Sequence, residues 1–134
     1  MELDLSQIEL PPVGLWAGKI VEVTDGEVKA KKGNLVKTIT LTIELGLKKA
    51  DGSPFREHKT LKLNTRGLQK VLSLAQTWRG VNKLSSEELA KFDPKTEWEG
   101  KDGRFFVDRV SENGKQVAIV GDILPPEKPA AVAA

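Results

Sequence analysis

The chain has 134 residues, of which 39% are hydrophobic and 30% charged, a composition typical of a single globular domain. Its formal net charge of +2 argues against binding of nucleic acid by bulk charge, although a local basic surface is compatible with that value. The absence of cysteine excludes disulfides and thiolate chemistry, and a cytoplasmic location is expected.

The predicted elements begin after an extended lead-in at residues 1–12, which ends in two prolines. This lead-in lacks the basic and apolar regions of a signal peptide, and no later apolar run approaches the roughly 18 residues of a membrane span. We therefore expect no membrane association. Residues 14–23 predict a first strand with a bulge or bend at Gly18, and residues 36–45 predict a second, because apolar and polar side chains alternate there.

Two turn signals, at residues 25–26 and 33–34, bracket the segment between these strands. Four lysines are concentrated in or beside it: Lys29, Lys31, Lys32 and Lys37. A basic loop of this kind is most often a solvated turn, but beside a sheet it can also contact phosphates. Both interpretations stay open at this point.

The second half of the domain begins with a predicted third strand at residues 57–64 and a helix over residues 65–80. A capping box of Ser85 and Glu88 predicts a second, short helix that ends at the Asp-Pro pair of residues 93–94. Strands at residues 103–110 and 115–124 are joined by an Asn-Gly hairpin signal, and we expect residues 127–134 to be a disordered tail.

This element order, three strands, a helix and two more strands, favours a mainly β fold. The best match is a five-stranded Greek-key barrel of the OB type over residues 13–126, with the helix between strands three and four. An SH3-like barrel is the nearest alternative, but it has no helix of this length at that position.

Three segments carry a resemblance to a known family: "GLWAGKIVEV", "KKGNLVKTITLTIEL" and "WEGKDGRFFVDRVSENGKQVAIVGDILPP". Together they resemble the small phage-type single-stranded DNA-binding proteins, which overlap a phage family of formerly unknown function. The resemblance covers roughly residues 13–126. It implies an OB fold with non-catalytic, largely sequence-independent binding of single-stranded DNA in phage replication or recombination. The ending "EKPAAVAA" differs from the acidic tail with which many such proteins recruit partners.

In an OB barrel the binding site lies across strands two and three. The side chains expected to face outward there are Thr38, Thr40, Thr42, His58, Thr60, Lys62 and Asn64. Glu44 and Glu57 are the carboxylates expected at the far end of this surface. The cations expected to contact phosphates are Lys31, Lys32, Lys37, Lys62 and Arg66, with Lys101 and Arg104 on the other side.

Bases are expected to stack on Phe55, on Trp16, or on one of the neighbours Phe105 and Phe106, of which Phe105 is taken into the predicted site. Phe55 is expected in a loop, where it could also serve as a lid of the barrel. His58 could stack on a base, bond a phosphate, or simply be exposed to solvent.

Little in the sequence indicates catalysis. With one histidine and no cysteine, the usual zinc sites and Cys–His nucleophiles are impossible, and no glycine pattern matches a phosphate-binding loop. We therefore expect no enzyme activity, cofactor or metal. A small nuclease is the weakest hypothesis, and an OB scaffold that binds proteins instead of nucleic acid is the main alternative. An exposed edge strand would allow a homodimer, and replication or recombination proteins are further expected partners.

Overall fold

The computed structural model describes residues 10–126, which form one antiparallel sheet of five strands and three helices. The strands are β1 (Gly14–Lys29), β2 (Leu35–Lys48), β3 (Pro54–Lys62), β4 (Asp102–Glu112) and β5 (Lys115–Leu124). The helices are α1 (Thr65–Arg79), α2 (Ser86–Ala90) and α3 (Pro94–Trp98). Most of the expected lead-in and all of the expected tail at residues 127–134 lie outside the described residues.

The strand order in the sheet is β3-β2-β1-β4-β5, so the long strand β1 connects its two halves. Residues 14–19 of β1 pair with β4, and residues 18–29 pair with β2. The register shifts between Ile20 and Glu22, which makes Val21 the bulged residue. A bulge bends a strand, and this one lies close to the point where β1 passes from one neighbour to the other. The bulge predicted at Gly18 is therefore found three residues later.

The β1–β2 hairpin is longer than predicted. The supposed turn at Asp25 and Gly26 is wrong, because these residues pair with Ile39 and Thr38 inside the ladder. The chain reverses instead at residues 30–34, where Gly33 has a positive φ of 85°. The turn signal at residues 33–34 is thus confirmed, and it lies at the tip of an extended arm.

The core lies on one side of the sheet. Four residues of β2, Ile39, Leu41, Ile43 and Leu45, are each at most 3% exposed, as their alternation with threonine predicts. Helix α1 packs against β3 and β5 and contributes Val71 and Ala75 to this core. The largest fully buried side chains include Trp98, Phe105, Ile20 and Ile123.

The helix ends follow their sequence signals. The Asn64 side chain accepts a 2.8 Å hydrogen bond from the Gly67 amide at the start of α1, and Gly80 ends that helix with φ 70°. The capping box of Ser85 and Glu88 is present at α2. Helix α3 was not predicted, although Pro94 stands in its first turn, a position that favours proline.

The two edge strands, β3 and β5, approach each other without pairing as a ladder. The Lys59 ammonium on β3 donates a 2.8 Å hydrogen bond to the Val120 carbonyl on β5. At the other end of β5, the predicted hairpin with β4 is confirmed, since Asn113 and Gly114 both have positive φ and connect paired strands. The mainly β fold of five antiparallel strands is thus confirmed, and its sheet is not closed.

Candidate nucleic-acid interface

The side of the sheet turned away from the core presents four rows of side chains across β1, β2 and β3. Directly paired residues in an antiparallel sheet point to the same side, so the register defines each row. The rows are Lys19, Glu44 and Arg56; Glu22, Thr42 and His58; Thr24, Thr40 and Thr60; and Gly26, Thr38 and Lys62. We call this surface the outer face.

Each of the two middle rows of the outer face contains a hydrogen bond between its β2 and β3 side chains. The hydroxyls of Thr40 and Thr60 lie 2.9 Å apart, and the Thr42 hydroxyl lies 3.1 Å from His58 Nδ1. Thr38, in the last row, is 5% exposed and is therefore largely withdrawn from the surface. The predicted polar strip exists, with Thr40, Thr42, Thr60 and His58 as its accessible part.

The carboxylates of the outer face differ from those predicted. Glu44 accepts hydrogen bonds from Arg56 at 3.0 and 3.2 Å, which neutralises its charge locally. Glu57 pairs with the buried residue Ile43 and so points to the opposite side, where burial raises the pKa of its carboxyl. Glu22, which the sequence interpretation did not consider, takes its place as an exposed carboxylate in the second row.

The four lysines of the cluster do not all lie in the turn of the β1–β2 hairpin. Lys31 and Lys32 are exposed at the turn, which two main-chain hydrogen bonds close, from Ala30 N to Asn34 O at 2.8 Å and from Gly33 N to Ala30 O at 2.9 Å. Within residues 10–126, neither ammonium belongs to an ion pair. Both charges therefore stay available at the end of the outer face that carries Lys62.

Lys37 does not join them as predicted. It pairs with Glu27, whereas its neighbour Thr38 lies in a row of the outer face. Successive residues of a strand point to opposite sides, so Lys37 points away from the polar strip. The error arose from counting all four lysines as one loop, although Lys37 lies inside the strand predicted at residues 36–45 and Lys29 ends β1.

A second basic group lies where β3 meets α1. Lys62 ends β3, Arg66 is in the first turn of α1, and both line a shallow depression of about 240 Å³ with Thr60 and Lys70. Lys62 and Arg66 are thus brought together as predicted. Lys70 was missed, although its position four residues after Arg66 places both on one helix face.

Three of the aromatic residues predicted to stack on bases do not lie on the outer face. Phe55 is not in a loop, because pairing with β2 begins at Pro54, and it is only 6% exposed. Phe105 is completely buried. Trp16 pairs with Phe105 on the core side, where it is half-buried and its indole N–H donates to the Pro12 carbonyl at 2.7 Å.

Phe106 is the aromatic residue that the sheet turns outward. Phe105 and Phe106 point to opposite sides, as neighbours in a strand must, and Phe106 is 37% exposed. It pairs with Leu15 of β1, which is 44% exposed. No other Phe or Trp side chain in residues 10–126 is as open to solvent.

The last two predicted cations lie on the far side of β1. Lys101 is exposed just before β4, and its carbonyl accepts a 2.9 Å hydrogen bond from the Ile20 amide. Arg104 of β4 is half-buried, and its Nε donates to the Pro125 carbonyl at 2.9 Å. Two strands, β1 and β2, separate them from Lys62, so the predicted cations form two groups.

In the part of the chain that the structure describes, no three His, Asp or Glu residues are grouped as a metal site requires. The helices between residues 10 and 126 are also too short or too polar to cross a membrane. The amino-acid sequence matches no protein-family model and no curated protein. A functional proposal therefore rests on the geometry and charge of the outer face.

Proposed function

We propose that the sheet is an OB-type barrel whose seam lies between β3 and β5. In that fold β1 pairs with β2 and β4, and β3 and β5 complete the ring. The order β3-β2-β1-β4-β5 agrees with this ring if its two ends are brought together. The Lys59–Val120 hydrogen bond across the two edges and the position of α1 between β3 and β4 support the proposal.

We further propose that this domain binds single-stranded DNA on the outer face without catalysis. The observation that carries the proposal is a polar strip, Thr40, Thr60, Thr42 and His58, that is flanked on β1 by the carboxylate of Glu22 and ends at cations without ion-pair partners among the described residues. Those cations are Lys31, Lys32, Lys62 and Arg66. Single-strand binders combine such a basic track for phosphates with a surface that accepts bases of any sequence.

The expected binding is largely independent of sequence. Phosphate contacts fix the position of the DNA strand but carry no sequence information, and the hydroxyls and the imidazole of the strip already bond one another. A role in phage DNA replication or recombination is added to the proposal on the sequence resemblance alone.

The experiment is a titration of a fluorescent oligo-dT and of a matching duplex at low and at moderate salt. We expect the single strand to bind more tightly, with log K falling against log salt by about 0.7 for each phosphate neutralised. The double variant Lys31→Glu and Lys32→Glu should weaken binding and make the slope shallower by about 1.4. If the wild-type chain binds neither DNA at low salt, the proposal is wrong.

A matched control keeps the change in net charge the same. Lys83 and Lys91 are exposed and lie before and after α2, remote in sequence from the outer face. The double variant Lys83→Glu and Lys91→Glu should bind oligo-dT nearly as the wild type does. Equal loss of affinity in both double variants would mean that only total charge matters, which contradicts a defined site.

A protein-binding module is the second candidate, and one observation favours it. Val110 of β4 and Ile119 of β5 are each 38% exposed, which is a large exposure for apolar side chains in a sheet. A protein partner would bury them, whereas DNA bound to the outer face would not. This candidate takes precedence if the titration detects no DNA binding.

A further inference from the structure

A groove of about 820 Å³ lies beside the outer face, on the side of β4. Its lining includes Leu15, Ala17 and Lys19 of β1, Glu44 and Gly46 of β2, and Arg104 of β4. We call it the β4 groove. None of the predicted binding residues except Arg104 lies in it.

The groove exists because two positions in its floor carry almost no side chain. Ala17 offers only a methyl group and Gly46 offers none. The backbones of β1 and β2 are close here, since a Cβ on Gly46 would lie 3.1 Å from the Ala17 carbonyl oxygen. Larger side chains stand around this floor, Lys19 and Glu44 at one end and Leu15 at the other.

The β4 groove is continuous with the outer face. Lys19 and Glu44 belong both to the groove lining and to the first row of the outer face. Single-stranded DNA that lies along the outer face from Lys62 toward Arg56 therefore reaches the groove without crossing another element of the fold. From the row of Gly26 to Leu15 the path along β1 is at most roughly 35 Å.

Among the charged side chains that line the groove, Arg104 is the one suited to binding an anion. The Lys19 ammonium lies 4.0 Å from the Asp102 carboxylate, and the Glu44 carboxylate is bound by Arg56. The carboxylates of Asp102 and Glu44 thus each have a cation beside them. Arg104 is different, since its Nε donates to a neutral carbonyl and it enters no ion pair within residues 10–126. Its remaining guanidinium N–H groups are suited to a phosphate.

The apolar end of the groove suits a base. Leu15 lines the groove, and its cross-strand partner Phe106 is the exposed aromatic of the same surface. An aliphatic and an aromatic side chain that stand side by side provide a flat contact for a nucleobase of any sequence. A side chain suited to a phosphate and one suited to a base thus lie on the same side of β4, because Arg104 and Phe106 are two residues apart on this strand.

We propose that the β4 groove is a second segment of the DNA-binding site, with a base against Leu15 and Phe106 and a phosphate at Arg104. This inference rests on the proposed binding of single-stranded DNA and extends its site from β3 across the sheet to β4. The DNA strand then passes over the polar strip first and reaches its stacking contact at the Leu15 end of the groove, beside Phe106. The predicted stacking residues Phe55, Phe105 and Trp16 take no part.

The test measures affinity against oligonucleotide length, with oligo-dT of 4, 8, 12 and 16 nucleotides, the range of about 4–16 that one OB fold covers. Phe106→Ala should weaken binding of the long oligonucleotides about tenfold or more and leave the shortest nearly unaffected. Ala17→Glu, which fills the groove floor and adds a negative charge, should have the same selective effect. Val110→Ala, at an exposed apolar position of β4 outside the groove, is the matched control.

Photo-crosslinking gives an independent readout. Ultraviolet irradiation of the wild-type complex with 16-nucleotide oligo-dT should attach thymine to the peptide that contains Phe106. The inference is overturned if both Phe106→Ala and Ala17→Glu bind the 16-mer as tightly as the wild type. If Phe106→Ala does not fold, Ala17→Glu alone decides, because Ala17 is exposed and tolerates a larger side chain.

The outcomes separate this inference from the proposed function. Loss of binding in the Lys31 and Lys32 double variant, together with unchanged binding in both groove variants, would preserve the proposed function and reject the β4 groove. Failure of the wild-type chain to bind oligo-dT of any length would reject both.

Discussion

The Lys59 ammonium lies 2.8 Å from the Val120 carbonyl oxygen and so connects the two edge strands of the sheet. An inward-pointing charge on an edge strand also discourages that edge from pairing with another chain. Lys59 therefore has two effects, since it bridges β3 to β5 and makes the edge of β3 less suited to pairing with another chain. For this reason the edge of β3 does not favour the homodimer that an exposed edge strand would allow.

The first prediction concerns the pH dependence of stability. Burial lowers the pKa of Lys59 below its ordinary value near 10.5, and the nearby charge of Lys70 lowers it further, while Asp122 acts in the opposite direction. Between the folded-state pKa and 10.5, the unfolded chain binds more protons than the folded one. The contribution of Lys59 to the free energy of unfolding therefore rises with pH in this window.

Lys59→Met should remove that rise. Urea unfolding at pH 7.5 and at pH 10 measures it, with Lys83→Met as the control because Lys83 is exposed and enters no ion pair within residues 10–126. The stability of Lys59→Met relative to the wild type should fall from the lower to the higher pH. An unchanged difference at the two pH values would show that Lys59 does not titrate as a buried group.

The second prediction concerns Gly67 in the first turn of α1. Alanine usually stabilises a helix by up to about 1 kcal/mol relative to glycine. Here a Cβ on Gly67 would overlap the main-chain carbonyl oxygen of Lys62, which a rigid strand end holds in place. Gly67→Ala should therefore destabilise the protein by about 3 kcal/mol, as overpacking in a tight core does.

Denaturant unfolding measures this effect. Ser73→Ala, at an exposed position of the same helix, is the control and should change stability by no more than about 0.5 kcal/mol. A Gly67→Ala variant as stable as the wild type would mean that β3 and α1 are not packed as closely as described.

Most of the fold could be predicted from the sequence, because alternation, capping boxes and turn dipeptides are local signals. Residues 36–45 alternate without interruption, and the structure buries that set of apolar residues. The site was predicted less well. The side of the sheet to which a residue points depends on the register of the strands and on the residue at which strand pairing begins. Phe55 illustrates this, because β3 starts three residues earlier than its alternation indicated.

The same limit explains the error on β1, whereas the error at Lys37 on β2 came from disregarding the alternation. The bulge at Val21 changes the side to which the first part of β1 points, and no residue type in the sequence marks it. Trp16 was counted among the stacking residues for lack of that information. Lys37 was grouped with the loop lysines although it lies within the strand predicted at residues 36–45, where its position beside Thr38 already places it on the other side.

The third prediction separates the neighbours Phe105 and Phe106. Phe105 is completely buried, so Phe105→Ala should destabilise the fold by about 3–5 kcal/mol. Phe106→Ala should cost roughly 1 kcal/mol, because its ring is already partly in water. Thermal or urea unfolding of the two variants checks the difference, and a larger loss for Phe106→Ala would reverse the assignment of the two sides of β4.

The fourth prediction concerns two lysines that the sequence assigned to one groove. Lys62 lies in a row of the outer face, whereas Lys37 is adjacent to Thr38 in β2 and points to the other side, opposite Glu27. Lys62→Gln should therefore weaken oligo-dT binding and reduce the slope of log K against log salt by about 0.7. Lys37→Gln removes the same charge and should leave both quantities nearly unchanged.

Titration of the two single variants at several salt concentrations gives the comparison, and both positions are exposed, so neither substitution should disturb the fold. Equal losses of affinity would mean that DNA binding depends only on the total charge around the β1–β2 hairpin. A greater loss for Lys37→Gln would place the DNA on the other side of β2, because a phosphate cannot approach both faces of one strand. Only a loss confined to Lys62→Gln agrees with a strand that lies across the outer face.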